Sequence, residues 1–305
     1  MDEITTQNVS QDMDLRKALD ISAAGTQLIP EVVSAGLRKF VETASPLYAE
    51  TPKRDWPTNS YIYRSITALP SAAFGTDGGS LPSASEGTYA KPSVAMKYIY
   101  TRGEVTGPMI AASASLLDAY QLEIELHADA LVRKLEQTII SGDSSVTASE
   151  FDGLIKQITN SLNVGTGTGQ ADPTLLTLAH LDETLDIPTE YPTHIILNRA
   201  MGRRVWSLLQ AQQRFVDRTE IAGGFRVPTY NDLPIVRVDT GITGLTNTIV
   251  FPDMRWVVMP INQNVTFEEL AKTKDSRDFM LKMYCTLAVE GTSRYHAKLL
   301  KVKAS

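Results

Sequence analysis

A run of residues that cannot form a hydrophobic core of its own lies between two segments with the composition of β-strands. The run spans residues 70–92 and consists chiefly of Gly, Ser, Ala, Thr and Pro. Residues 61–69 and 94–105, on either side of it, are rich in Tyr, Ile, Val and Thr, as strands are. Compact domains seldom carry a loop of about twenty residues without a use for it. The sequence therefore predicts a long hairpin whose tip finds its burial outside its own loop.

Residues 115–141 have the period of a single long helix. Gly142 follows directly and suits a C-cap, and a rise of about 1.5 Å per residue gives the helix a length of roughly 40 Å. Apolar residues recur at steps of three and four, which predicts one buried stripe. The stripe consists of Leu117, Tyr120, Ile124, Ala128, Leu131, Leu135 and Ile139.

The N-terminal part of the chain predicts an arm followed by a shorter helix. Asp, Gln, Ser and Thr dominate the opening residues, which alone would form an arm or tail. Pro30 stands where a helix begins, and Pro46 is expected to close it. One face of this helix would carry Val33, Leu37, Phe40 and Val41.

From residue 151 to about 260 the chain alternates helical and strand patterns, which predicts a mixed α/β unit. Helices are expected at 175–185 and 201–212, and strands at 194–197, 233–238, 248–251 and 256–259. Asn231 and Asp232 predict a turn before the second of these strands. Farther on, residues 279–289 and 297–302 alternate between apolar and polar side chains. They predict two terminal strands, expected to pair with each other.

Composition and spacing favour neither an enzyme nor a nucleic-acid-binding module. The net charge of −6 offers no large basic surface for phosphates. None of the four histidines is at metal-ligand spacing, and Cys285 is the only cysteine, so the chain holds no disulfide and no Cys-based zinc site. GTGTGQAD at residues 165–172 lacks the Lys and Ser/Thr of a P-loop and predicts a flexible surface loop. We expect no catalytic residue, no cofactor and no metal.

Targeting signals are also missing from the sequence. The polar, acidic opening residues lack the basic and apolar regions of a signal peptide. No segment approaches the roughly 18 consecutive apolar residues of a membrane-spanning helix. We expect no secretion by that route, no insertion into a membrane, and synthesis in a reducing cytosol.

Arginines make the middle of the α/β region locally basic. Two interpretations remain open for them: contact with DNA or with neighbouring copies, and a solvated helix face and loop. The residues are Arg203, Arg204, Arg214, Arg218 and Arg226.

Several segments resemble the major capsid proteins of tailed bacteriophages, in the order in which that family carries them. SAAGTQLIPEVVSAGLRKF at 22–40 resembles the lead-in helix, the hairpin at 56–107 has the position of the extended loop, and LLDAYQLEIELHADALVRKLEQTIISGD at 116–143 resembles the spine helix. FDGLIKQI at 151–158, HIILNRAMGRRVWSLL at 194–209 and YNDLPIVRVD at 230–239 are similar to parts of the axial domain. Asn231 and Asp232 replace the glycine that is common in the last segment and can serve the same turn.

This resemblance implies an α+β chain with the Hong Kong 97-type fold. The expected parts are an N-terminal arm at 1–28, a lead-in helix of the peripheral domain at 29–56 and an extended loop at 57–107. They continue with the peripheral domain and its spine helix at 108–150, an axial domain at 151–262, and return strands of the peripheral domain at 263–305.

The resemblance also implies a structural subunit that forms hexamers and pentamers of an icosahedral head around double-stranded DNA, located in the virion and made in the host cytoplasm. Expected partners are further copies of the chain, a portal, a possible decoration protein and DNA bound without sequence specificity. A separate scaffolding protein is also expected, because the short N-terminal region leaves no room for a fused scaffolding domain. The expected assembly contacts are Tyr61, Tyr63, Phe74, Leu81, Glu86, Tyr89, Tyr98, Arg102, Arg214, Arg218 and Arg226.

Two alternatives come from other classes of function. An encapsulin, the shell protein of a bacterial nanocompartment, has the same fold, and the long loop and polar arm favour the phage interpretation over it. An unrecognised hydrolase with an appended hairpin is the second, and the sequence offers it neither a triad nor a metal set.

Overall fold

A computed structural model describes residues 45–79, 83–113, 119–211, 218–221, 225–238, 243–272, 274–292 and 294–305. The predicted arm, the helix from Pro30 and the first turn of the predicted long helix lie outside the described residues. The chain divides into two compact units, and the described parts of unit 1 fall within residues 99–132 and 263–283. Those of unit 2 fall within 45–98, 133–262 and 284–305.

The predicted long helix is confirmed over its described length. It is α3, Ala119–Ser141, and its 23 residues span about 35 Å. Among the described residues before it are two shorter helices, α1 at Pro46–Glu50 and α2 at Gly107–Ser113. The predicted stripe is buried at each of its positions from Ile124 to Ile139, which are at most 3% exposed. The apolar period of the sequence therefore gave the correct buried face.

Two glycines bring the end of α3 against the segment that follows it in unit 2. Gly142 donates its N–H to Thr138 O at 2.9 Å, and Gly153 donates to Gly142 O at 2.8 Å. A Cβ on Gly153 would lie 2.6 Å from Thr138 O and 2.7 Å from Gly142 N. Because both neighbours are backbone atoms, no side chain can turn aside to make room.

We therefore expect Gly153→Ala to lower the free energy of unfolding by about 1–3 kcal/mol, as overpacking does. Urea denaturation followed by circular dichroism measures this. Gly75→Ala is the matched control, because a Cβ at Gly75 meets nothing within 4 Å. Equal denaturation midpoints for the two variants would contradict the close backbone packing.

A seven-stranded mixed sheet forms the centre of unit 2, in the order β10-β11-β12-β9-β13-β17-β7. The α/β prediction and most of its strand positions are confirmed. β9 and β12 are parallel, as are β17 and β7, whereas the other pairs of the sheet are antiparallel. The strands are β7 Ser161–Asn163, β9 Ile195–Asn198, β10 Arg218–Ile221, β11 Phe225–Tyr230, β12 Leu233–Val238, β13 Thr248–Phe251 and β17 Ala297–Leu300.

Two helices cover one face of this sheet. These two helices are α5, Leu178–Leu185, and α6, Arg199–Ala211. A shorter helix, α4 at Leu154–Gln157, comes before them in the chain. Asn198 caps α6, because its Oδ1 accepts the Met201 N–H at 2.7 Å. Both helices bury their apolar stripe in one core with alternate residues of the central strands, so they share a face. The helix residues of this core are Leu178, Leu181, Leu185, Met201, Val205 and Leu209.

The described part of unit 1 contains α2, the part of α3 up to Val132 and those residues of three long strands that fall within 99–132 and 263–283. β15, Ser276–Cys285, lies between β14, Val257–Glu269, and β6, Lys97–Thr106. The predicted alternation is confirmed here, since Phe279, Leu281 and Met283 are 0% exposed. In unit 2 the first residues of β14 pair with two short strands. These are β1, Lys53–Asp55, and β16, Ala288–Val289. β8, Thr174–Leu175, pairs with β18, Val302–Lys303.

Some predictions differ from the structure. Pro46 begins α1, because its fixed φ suits the first helical position and Ser45 Oγ accepts the Tyr48 N–H at 3.2 Å. The helix that Pro46 was expected to close lies outside the described residues. The two terminal strands do not pair with each other, since β17 lies between β13 and β7. Alternation along a strand defines its faces but carries no information on its partner.

Candidate assembly interface

The predicted hairpin is present in unit 2 as two short ladders that follow one another. β2, Ser60–Ile62, pairs with β5, Ser93–Ala95, and β3, Ser65–Ala68, pairs with β4, Thr88–Ala90, a strand that the sequence did not predict. Beyond β3 and β4 the two legs are joined through the Ser85 side chain. Its hydroxyl accepts the Ser71 N–H at 2.9 Å, donates to Ser71 O at 3.1 Å and lies 3.0 Å from the Ser71 hydroxyl. Regular sheet pairing therefore ends at Ala68 and Thr88.

The outer part of the hairpin exposes large apolar side chains. Ile66 is 59% exposed, Leu69 66%, Phe74 108% and Tyr89 74%. Single exposed apolar residues are ordinary, but a group of them on one projecting segment marks a contact surface. We call these four residues the hairpin tip. It is the part of the hairpin that a second molecule can bury.

The base of the hairpin, in contrast, is tightly held. Tyr61 is 1% exposed, and its ring meets Trp56 edge-on at 5.0 Å and stacks on Tyr63 at 5.9 Å between centroids. Its hydroxyl accepts from Arg54 Nη1 at 2.9 Å and donates to Glu290 Oε1 at 3.0 Å. Burial raises the pKa of Tyr61, and the nearby Glu290 carboxylate raises it further. The phenol therefore stays neutral and keeps both bonds.

A second layer of hydrogen bonds fixes Glu290 behind this base. The buried His296 ring contacts Glu290 O through Nε2 at 3.0 Å, while its Nδ1 accepts the Asp253 N–H at 3.0 Å. Burial lowers the pKa of His296, which favours the neutral ring that this arrangement requires. Tyr63 adds a bond from its hydroxyl to Val289 O at 3.3 Å. The hairpin is therefore anchored at one end and bare at the other.

The structure separates the predicted hairpin contacts into two groups. Phe74, Glu86 and Tyr89 are exposed and available to a neighbour. Tyr61 is buried and Tyr63 half-buried, so both anchor the hairpin within their own subunit. Leu81 lies outside the described residues. The sequence missed Arg54 and Glu290, since nothing in the local pattern around them points to a tyrosine.

Tyr98 and Arg102 lie on β6, and each has a partner within its own unit. Tyr98 is 48% exposed and packs edge-on against Tyr284 in unit 2, at 4.9 Å between centroids. Arg102 pairs with Asp278 in unit 1 at 2.6 Å, and this guanidinium lowers the pKa of the carboxyl. The arginine side chain is itself 63% exposed, so it can still meet a second molecule.

The predicted basic residues of the α/β unit fall in two places. Arg203 is exposed on α6, whereas Arg204 donates from Nε to Leu176 O at 3.3 Å. Arg218 and Arg226 belong to the hairpin of β10 and β11, opposite Pro228 and Glu220, and Arg214 lies outside the described residues. The sequence missed Trp206, which is 42% exposed on α6. Its place beside Arg203 could have pointed to a surface role.

The described residues hold no group of three or more His, Cys, Asp and Glu side chains able to bind a metal ion. Burial raises the pKa of the Cys285 thiol to about 12, which removes its nucleophilic character at neutral pH. The ends of the GTGTGQAD loop are joined by paired backbone bonds between Thr166 and Asp172, at 2.8 and 2.9 Å. Of the helices in the described ranges, none combines the length and apolar character needed to cross a bilayer.

Comparison with known proteins agrees with this geometry. The family model for the SU10 major capsid protein matches residues 57–303, which include the hairpin and most of the described residues of each unit. The search of curated protein sequences returned no match.

Solved structures give a consistent result for the fold. A capsid asymmetric unit of cyanophage A-1(L) matches with a TM-score of 0.66 and 14% identity, over 85% of this chain and 93% of that one. The holo-SrpI encapsulin complex from Synechococcus elongatus PCC 7942 matches with 0.63 and 13%, over 84% and 86%. A chain from Mycobacterium phage Bobi matches with 0.60 and 13%, over 84% and 90%.

Proposed function

The chain belongs to the SU10 major capsid protein family, and on that premise we propose that its hairpin tip joins neighbouring subunits of a phage head. The predicted Hong Kong 97-type fold is confirmed by the structural matches, and the protein is a major capsid protein located in the virion shell. Many copies of the subunit build that shell.

One observation carries the proposal: the hairpin is anchored at its base and unsatisfied at its tip. Phe74 and its three neighbours in the hairpin tip stay in water in the isolated chain. Burying an apolar side chain of this size stabilises by about 1.5–3 kcal/mol. A neighbouring subunit supplies that burial, so association and ordering of the tip are coupled.

Within this proposal the subunits form hexamers and pentamers that close an icosahedral head around double-stranded DNA. The residues proposed for contacts between subunits are Phe74, Leu81, Glu86, Tyr89, Tyr98, Arg102, Arg214, Arg218 and Arg226. The net charge of −6 supports contact with DNA that is weak and independent of base sequence.

The remaining partners belong to the same proposal. A portal and a separate scaffolding protein act during assembly in the host cytoplasm, and a decoration protein binds the finished shell. The subunit itself has a structural and no enzymatic role, in keeping with its family. Efficient closed shells from this chain expressed alone would argue against the separate scaffolding protein.

The encapsulin alternative is supported by one of the structural matches. At 13% identity that match reflects the shared fold, whereas the family match is to a phage protein. Particles that enclose cargo enzyme and lack DNA would favour the alternative.

The first experiment is electron microscopy and analytical ultracentrifugation of the purified full chain. Closed shells, or rings of five or six, support the proposal. A chain that stays monomeric at high concentration, with a hairpin resistant to protease, would overturn it.

The role of the tip is tested by Phe74→Asp, which places a charge where apolar burial is proposed. We expect the concentration at half-assembly to rise at least about tenfold, because aromatic residues at the centre of an interface dominate its energy. Val146→Asp is the matched control, since Val146 is 83% exposed on a different loop of unit 2. Equal effects of the two substitutions would show that added charge alone, and not the hairpin tip, weakens assembly.

A further inference from the structure

Helix α6 presents a face that is basic and carries an exposed aromatic ring. Arg199, Arg203 and Trp206 follow one another at steps of four and three, so they lie on one side of the helix, and all three are exposed. The helix carries three arginines and no Asp or Glu. We call these three residues the basic face. Trp and Arg are the residue types most enriched at the energetic centres of protein interfaces.

An acidic surface with an exposed tyrosine lies elsewhere in unit 2. Tyr191 is 45% exposed, and Asp182, Asp186 and Asp232 are near enough for their charges to add to burial in raising its pKa. Asn231 Nδ2 donates to the Tyr191 hydroxyl at 2.5 Å, and Asp182 accepts from the Tyr230 hydroxyl at 2.6 Å. We call Tyr191 and the three aspartates the acidic rim. Its chemistry complements that of the basic face.

The two surfaces begin at opposite ends of the same pair of strands. β9 and β12 are parallel, with Ile195 opposite Ile235. Arg199 directly follows the last residue of β9, whereas Asp232 directly precedes the first residue of β12. One subunit can therefore offer its basic face to one neighbour and its acidic rim to another.

We infer that the basic face of one subunit docks on the acidic rim of a second copy of the chain. The contact is head-to-tail and joins unlike surfaces, as repeated contacts around a closed ring require. Opposite charges align the subunits, and Trp206 and Tyr191 supply the apolar contact. This inference rests on the proposed function and assigns it a second contact, independent of the hairpin tip.

A charge-swap experiment on the full chain tests the contact. Arg203→Glu and Asp186→Lys should each raise the concentration at half-assembly by at least about tenfold, since each places like charges opposite one another. The double variant, which reverses the pair, should recover most of this loss. Both positions are exposed, and a lysine at 186 suits the end of α5, so folding is preserved.

Three further measurements separate this contact from general charge effects. Lys272→Glu is the charge-matched control, an exposed lysine of unit 1, and should assemble as wild type does. The difference between wild type and Arg203→Glu should narrow in about 1 M salt, where the screening length is about 3 Å. Trp206→Ala should weaken assembly in either salt.

The outcomes distinguish the two proposals. If the wild-type chain never associates and its hairpin resists protease, the proposed function and this contact are both wrong. If wild type assembles and the double variant is no better than the single ones, the contact is wrong and the proposed function stands. Normal assembly of Arg203→Glu with reduced retention of DNA would assign the basic face to the packaged nucleic acid, which also overturns the contact.

Discussion

Replacing Tyr61 by alanine is expected to lower the free energy of unfolding by about 3–5 kcal/mol, as the loss of a buried aromatic side chain does. The substitution removes a fully buried ring that packs against Trp56 and Tyr63. It also leaves the Glu290 carboxylate without the hydroxyl that donates to it. Urea denaturation measures the loss. Limited proteolysis should cut within residues 70–92 faster than in wild type, because the base no longer holds the hairpin.

Two variants separate the ring from the hydroxyl. Tyr61→Phe keeps the ring and should cost about 0.5–1.5 kcal/mol, the usual net contribution of a hydrogen bond, since Glu290 is only half-buried and water can replace the lost hydroxyl. Tyr89→Ala removes the same side chain from the exposed hairpin tip and should change stability by no more than about 0.5 kcal/mol. A Tyr61→Ala protein as stable as Tyr89→Ala would contradict the anchoring role of the hairpin base.

The second large effect is expected at Phe279 in unit 1. Its ring is 0% exposed, and the ring centroids of His127, Tyr120 and Phe267 lie 5.3, 5.5 and 5.9 Å from its own. Phe279→Ala leaves a cavity among these rings and should lower the free energy of unfolding by about 3–5 kcal/mol. Phe279→Leu conserves more volume and should cost less. Denaturant titration of both variants checks the order.

Gly103 offers a sharper test of the same packing. A Cβ at this position would lie 2.3 Å from Phe279 Cζ, so Gly103→Ala alone should destabilise unit 1 by about 1–3 kcal/mol. In the Phe279→Ala background that space is free. The double variant should therefore be more stable than the sum of the single losses predicts. Simple additivity would show that the glycine is not required by the ring.

Local sequence patterns predicted the elements whose structure depends on nearby residues. The buried stripe of α3 follows from its own period. Asn231 and Asp232 adopt φ values of +50° and +64°, the left-handed turn that these two residue types tolerate best. The hairpin was also predicted from local sequence, because residues 70–92 are too poor in apolar side chains to form a hydrophobic core of their own.

Other features depend on residues far apart in the chain and left no local signal. Tyr61 and Glu290 are 229 positions apart, so the anchor of the hairpin was invisible, and Tyr61 was predicted as a contact for a neighbour. The partners of β17 could not be predicted either, because alternation sets a face and not a neighbour. For the candidate interface, the sequence therefore predicted the exposed part of the hairpin but missed the contacts of Arg54 and Glu290 that hold its base.

The position of β17 has a consequence for the order of events during synthesis. Ser161 of β7 pairs with Lys298 of β17, and β17 also covers the outer side of β13. In the described sheet β7 pairs only with β17. The ribosome therefore releases β7 long before it has synthesised the strand that pairs with it. During that interval the nascent chain presents unpaired backbone groups that invite wrong partners or chaperones. Completion of the sheet is thus a late step, coupled to translation of residues 297–300.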